Sequence, residues 1–285
     1  MKKNLKKLHK IAFLVFLFFT SCFSPGYNDA IRKAEEQVGL GNFEKAVSIY
    51  SDLVQKFPKE PRNTAIFLQL GDLYASSIGD VKKGLDAYQK CIETAPTSEA
   101  ARLAHERRAA IFENEGHAAG QVEEYTALLK YFGDHPDALK YRMGLGEAYI
   151  TSREFQQART ELRGFVEKVQ VSADLRARAL FDIGETYFLE EKPGKAVRFY
   201  YALVQEAPKS QLVPEAKLRI ATCLEEMGYL GLAQKFAEDA KKTYPNPDVV
   251  DSRIEGIVKR GKAPAIKSSK QEIRKSKQTQ NSKSQ

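Results

Sequence analysis

Four histidines, three cysteines and many carboxylates are the side chains with chemistry to offer. The histidines are His9, His105, His117 and His135; no two stand four apart and none lies near a second cysteine, so no metal site emerges. His135 precedes Pro136 and reads as a solvated turn residue. The carboxylates fall at the spacing of solvated helical faces, with no acid/base pair standing out. There is no phosphate loop and no Gly-x-Gly-x-x-Gly. These features argue against catalysis, and no metal or cofactor is expected. One thiol stands apart: Cys22 follows Thr20-Ser21 directly after a basic segment and an apolar run.

That run, Ile11–Phe19, is nine residues long. At about 1.5 Å per helical residue it cannot cross a hydrocarbon core about 30 Å thick, so it reads as an export signal. Phe19-Thr20-Ser21-Cys22 resembles the lipobox of bacterial lipoproteins, with Phe19 where Leu is usual. The resemblance implies cleavage before Cys22 and acylation of its thiol, a stable anchor if several chains are attached. Phe23 occupies the place where Asp retains lipoproteins in the inner membrane, so the resemblance implies the periplasmic face of the outer membrane. Residues 1–21 are the expected signal peptide and 22–27 a lipidated tether.

The formal charge of +8 divides unevenly. Residues 1–21 carry five lysines and no acid; residues 259–285 carry nine basic residues and one acid, hence +8; the body is 8 − 5 − 8 = −5. The basic charge sits at the ends, which argues against nucleic-acid binding. Residues 259–285 are rich in Lys, Ser and Gln and cannot recover their ordering entropy by burial, so this segment is expected to be a disordered tail. Such a tail attracts anionic lipid or wall polymer, or is only a solvated end.

Elements must now be found for residues 28–258. The chain repeats itself. Leu180, Ile183-Gly184, Tyr187, Ala196, Tyr200 and Pro208 fit the tetratricopeptide pattern, and the same spacing recurs with Ala34, Ala46, Tyr50 and Pro58, and with Ala221, Ala233 and Pro245. Gly71 and Gly84 stand one residue further apart than the pattern. A weak third unit runs through Phe112, Tyr125, Leu128 and Pro136. The closing positions 58, 96, 136, 170, 208 and 245 are spaced 38, 40, 34, 38 and 37. Helices are predicted over 27–39 and 42–57, 61–77 and 80–95, 98–116 and 119–133, 136–152 and 154–170, 172–190 and 193–207, and 210–227 and 230–244, with a closing helix at 247–258. The fold class is therefore all-α, a right-handed tetratricopeptide-repeat solenoid of about six helix pairs. Cys91 and Cys223 fall in its second and sixth units, beyond the roughly 7 Å Cα limit for a bridge, and read as packing residues.

With the lipobox, the long period and the opening Tyr27-Asn28-Asp29-Ala30 … Gly41-Asn42-Phe43-Glu44-Lys45-Ala46, the chain resembles the BamD-type lipoproteins of the outer-membrane β-barrel assembly machinery. It is similar, second, to the tetratricopeptide proteins of the Tol-Pal system, although no coiled-coil segment precedes Ala30. The first resemblance implies a non-enzymatic scaffold that contacts envelope proteins and incoming barrel precursors; the second implies coupling of constriction to wall synthesis. In this repeat the residue after the small crossing residue faces the concave wall. That position reads Glu35, Asp72, Glu113, Glu147, Glu185 and Thr222, a candidate acidic stripe for a basic or amphipathic peptide segment of a partner. The alternative is a solvated helix face without a ligand.

Overall fold

Apolar residues recur at helical spacing, and turns punctuate them at regular intervals. The structure, a computed structural model, describes residues 25–167 and 171–262, and these are helical apart from turns. The first pair is α1 (Pro25–Gly39) with α2 (Phe43–Lys56), and the second is α3 (Asn63–Asp72) with α4 (Val81–Thr94). The third is α5 (Glu99–Asn114) with α6 (Ala118–Phe132), and the fourth α7 (Ala138–Thr151) with α8 (Phe155–Glu167). The fifth is α9 (Ala173–Leu189) with α10 (Pro193–Glu206), and the sixth α11 (Val213–Glu226) with α12 (Leu230–Lys241). A final helix, α13, spans Pro247–Lys262. Two compact units result, one ending at Tyr141 and one beginning at Arg142.

A single backbone feature fixes the register of every pair. The turn between its two helices contains one residue in the left-handed region: Gly41, Gly79, Gly116, Arg153, Glu191 or Gly228. Glycine adopts this conformation without a Cβ clash; Arg153 and Glu191 must be held there by the helices on either side. The small residue of the second helix follows five positions later, at Ala46, Gly84, Ala158, Ala196 and Ala233. The crossing residue of the first helix lies seven positions earlier, at Ala34, Gly146, Gly184 and Ala221. In the second pair the interval is eight, from Gly71 to Gly79. A π-helical turn over Leu73–Ile78 continues α3 and takes up this extra residue.

The crossings are tight. A Cβ on Gly71 would lie 2.3 Å from the Tyr88 ring, one on Gly184 2.5 Å from the Tyr200 ring, and one on Gly146 2.8 Å from Leu162. In the unit that ends at Tyr141, Tyr27, Ala34, Tyr50, Leu53 and Ile66 share one buried cluster. In the other unit the main cluster runs from Ala177 through Tyr200 and Ile220 to Ile257. Caps close several helices: Asp80 accepts from the Lys83 amide, Ser98 from that of Ala101 and Ser172 from that of Leu175.

Three expectations need correction. First, residues 25–27 are not tether. Helix α1 starts at Pro25 and Tyr27 is fully buried. Its hydroxyl donates to Asn63 Oδ1 at 3.0 Å and the Arg62 guanidinium covers its ring at 4.2 Å. Second, the closing helix reaches Lys262, and within it Arg260 pairs with Glu225. Residues 263–285, most of the expected tail, lie outside the described residues, as do the signal segment and Cys22. Third, the third pair is misaligned in the sequence reading by three residues. Gly116 sets its crossing residue as Ala109, 1% exposed, and its second-helix position as Gln121, also buried. Its closing residue is then Gly133, where the pattern has Pro. The closing positions 58, 96, 133, 170, 208 and 245 now step by 38, 37, 37, 38 and 37.

Candidate interaction surface

The position after each crossing residue begins the candidate surface, and register decides which residues hold it. Glu35, Asp72, Glu147 and Glu185 do. Glu113 does not: it lies exposed near the end of α5, and the third pair presents Ala110 in its place. Counting Glu113 as the residue after the crossing puts the crossing at Phe112, whereas Phe112 and Tyr125 hold the places that Tyr187 and Tyr200 hold in the fifth pair, so the small Ala109 among its charged neighbours is the crossing residue.

The carboxylates are not bare. In the first unit Asp72 accepts the Tyr88 hydroxyl at 2.7 Å and meets Arg107 Nε, from the next first helix, at 3.1 Å. In the second unit Glu147 meets Arg178 at 3.0 Å and Glu185 meets Arg219 at 2.9 Å. Glu185 also accepts the Tyr200 hydroxyl. At the sixth pair the position is Thr222, and Arg253 of α13 donates to its hydroxyl at 2.8 Å. The same helix closes on Glu225, whose buried carboxylate takes Arg253 at 2.9 Å and Arg260 at 2.5 Å. An arginine from the following helix thus answers this position at each of these four steps. The expected repulsion between stacked like charges is relieved within the chain itself.

Glu35 is the exception. It is exposed and has no hydrogen bond or ion pair among the described residues. Its charge acts on Tyr50, whose phenol is pushed upward, first by burial and then by Glu35. Glu35 borders a cleft of about 390 Å³ between α1 and α3, with Ile31, Val38 and Ile66 among its apolar walls.

Sequence reasoning missed one further group, Asp182. It sits on α9 two residues before the fifth crossing, buried, and accepts from Arg178 Nε at 2.9 Å. Burial, then the nearby Glu147 and Glu185 charges, push its carboxyl up to about 7 against the attraction of Arg178. A raised acid favours folding most when protonated. Its contribution is fully present below the ordinary carboxyl range and is lost as pH rises through about 7. Asp182→Asn removes that loss, so the variant is expected to melt higher than the parent at pH 8 and to show a flatter stability profile between pH 5 and 8. Parallel profiles for the two proteins would contradict the assignment.

Cys91 and Cys223 are free and fully buried, and burial pushes both thiols up to about 12. Neither is a thiolate near neutrality, so each packs as a small apolar residue. Among the described residues, no cluster of three or more His, Cys, Asp or Glu is placed to hold a metal ion. No helix among them is long and apolar enough to cross a membrane.

The tetratricopeptide-repeat family model matches residues 31–99 and 143–211, two pairs at a time, and passes over the third pair. No curated protein matches the chain. Among solved structures, the C-terminal part of a tetratricopeptide protein from Cytophaga hutchinsonii is 14% identical with a TM-score of 0.54, over 75% of this chain and 78% of that one. PilW, a type IV pilus biogenesis factor, is 13% identical with a TM-score of 0.51, over 81% of this chain and all of its own. YrrB, described as having an unusual peptide-binding site, is 13% identical with a TM-score of 0.52, over 72% of this chain and 97% of its own. At these identities the likeness is one of fold. The matched stretches, the regular period and the helix pairs show the fold class, an all-helical array of tetratricopeptide-type helix pairs.

Proposed function

We propose that this chain is a non-catalytic protein-binding scaffold of the bacterial cell envelope. In this reading a lipid on Cys22 holds it at the periplasmic face of the outer membrane, where it serves β-barrel protein assembly. The observation that carries the reading is the junction between the lipobox and the first pair. Helix α1 begins at Pro25, three residues after Cys22, and Tyr27 is already buried. Three residues span at most about 10 Å, so an acylated Cys22 would keep the first pair against the bilayer surface. Tetratricopeptide pairs bind polypeptides, and YrrB is an example with a peptide-binding site. The basic segment at the far end of the chain would add attraction for anionic lipid or wall polymer.

Two measurements test this. Cys22→Ala is expected to leave an unprocessed or soluble protein; unchanged partitioning into detergent would remove the anchor. Crosslinking in intact cells, read by mass spectrometry, is expected to return barrel-assembly subunits. Recovery of Tol-Pal components alone would move the scaffold to constriction and wall synthesis.

A further inference from the structure

Building on the protein-binding reading, we infer that the cleft between α1 and α3 receives one arginine side chain of a partner polypeptide, with an aliphatic residue beside it. In the chain's own steps, arginine reaches the carboxylate from one of two places on the next first helix. Arg107 and Arg219 stand two residues before their crossing residues, Ala109 and Ala221; Arg178 stands six before Gly184. On α3 the equivalent places, counted from Gly71, are Gln69 and Ala65. Neither can neutralise Glu35, and both side chains line the cleft where an arginine would otherwise lie. The missing guanidinium and the open volume coincide.

The walls set the rest of the recognition. Ile31, Val38 and Ile66 offer apolar contact for the stem of an arginine and for an aliphatic neighbour. A planar guanidinium pairs with a carboxylate through two parallel hydrogen bonds, which an ammonium cannot do, so arginine is favoured over lysine. The cleft also holds Arg62, but its charge is engaged elsewhere: Nε meets Glu60 at 2.8 Å, Nη1 donates to Asn28 at 2.6 Å, and the plane lies over Tyr27. It bounds the cleft without balancing Glu35.

The test uses the purified full chain and synthetic octapeptides containing Ile-Arg-Val, each paired with a citrulline version of the same shape and no charge. The arginine peptides are expected to bind at least tenfold more tightly than their citrulline partners, and more weakly as salt rises. Glu35→Gln is expected to abolish that difference. Gln69→Arg is the sharper variant because it supplies the missing arginine from within: it should raise the thermal midpoint and also abolish the difference. Equal binding of the two peptides, no binding of either, or a Gln69→Arg protein that still prefers arginine would overturn the inference. Crosslinked partners retained in cells by both variants would leave the scaffold standing and remove this cleft from it; loss of all partners in the parent would remove the scaffold reading itself.

Discussion

Glu124→Ala is expected to destabilise the third pair by about 3–5 kcal/mol, the loss found when one member of a buried ion pair is removed. Glu124 is 3% exposed and stands on α6 between two groups of α5. His105 Nδ1 lies 2.6 Å from Oε2, and Arg108 Nε lies 2.8 Å from Oε1, off the line of its N–H, so that contact is ionic. Arg108 also donates to Gln89 of α4. Removing the carboxylate strands a buried imidazole and a nearly buried guanidinium together. His105 Nε2 already lacks a partner among the described residues. The pattern's own residues are apolar here: the fifth pair has Leu180, Ile183 and Phe199 at the places of His105, Arg108 and Glu124. The triple replacement His105→Leu, Arg108→Ile, Glu124→Phe is therefore expected to be neutral or to stabilise by about 1–4 kcal/mol, because well-packed apolar groups need no desolvation of charge. Denaturation midpoints compare the proteins, and hydrogen exchange should place the loss in α5 and α6, since repeats unfold partly independently. A harmless Glu124→Ala, or a triple variant as weak as the single one, would contradict this account.

The same cluster explains which part of the fold was hidden in the sequence. Five pairs were legible because glycine, alanine and tyrosine mark their crossings at fixed intervals. The third pair keeps Ala109 and Tyr125 but has Gln121 for the small residue of the second helix and Gly133 for the closing proline, amid His105, Arg108 and Glu124. Polar groups that satisfy one another in the interior leave no apolar periodicity to read. The uneven steps of 40 and 34 around Pro136 were a sign of the slip, since moving one closing residue by three turns them into 37 and 37.

The candidate surface was half legible for a different reason. Reading one position along the chain found Glu35, Asp72, Glu147 and Glu185 but not the arginines that answer three of them, which belong to the following helices. A charge read without its stacking neighbour overstates the field it produces, because opposite charges about 3 Å apart largely cancel at distances well beyond their separation. Only Glu35 keeps the character the column suggested, and it does so because α3 carries Gln69 and Ala65. The burial of Tyr27 escaped notice likewise: its partner Asn63 lies in the second pair, 36 residues on.

Packing at the crossings should let one substitution change sign. Tyr200→Ala removes a fully buried ring that contacts Phe181 at 5.5 Å and donates its hydroxyl to Glu185. Deleting so large a side chain is expected to destabilise by about 3–5 kcal/mol, since the rigid helices on either side cannot collapse into the space. Gly184→Leu in the parent should also destabilise, by about 1–3 kcal/mol. A Cβ there would already stand 2.5 Å from the ring, and this outweighs the roughly 1 kcal/mol that replacing a mid-helix glycine gains. In the Tyr200→Ala background the obstacle is gone. Gly184→Leu should then stabilise by about 1–2 kcal/mol, through helix propensity and through apolar atoms entering the vacated space. The chain supplies a precedent for unequal partners at this contact: Gly146 faces Leu162 in the fourth pair, and Ala221 and Ala237 occupy the matching places in the sixth. Chemical denaturation of the four proteins forms a double-mutant cycle whose coupling should exceed about 2 kcal/mol, the upper part of the range for residues in contact. Additive effects would mean that the ring does not set the space at Gly184.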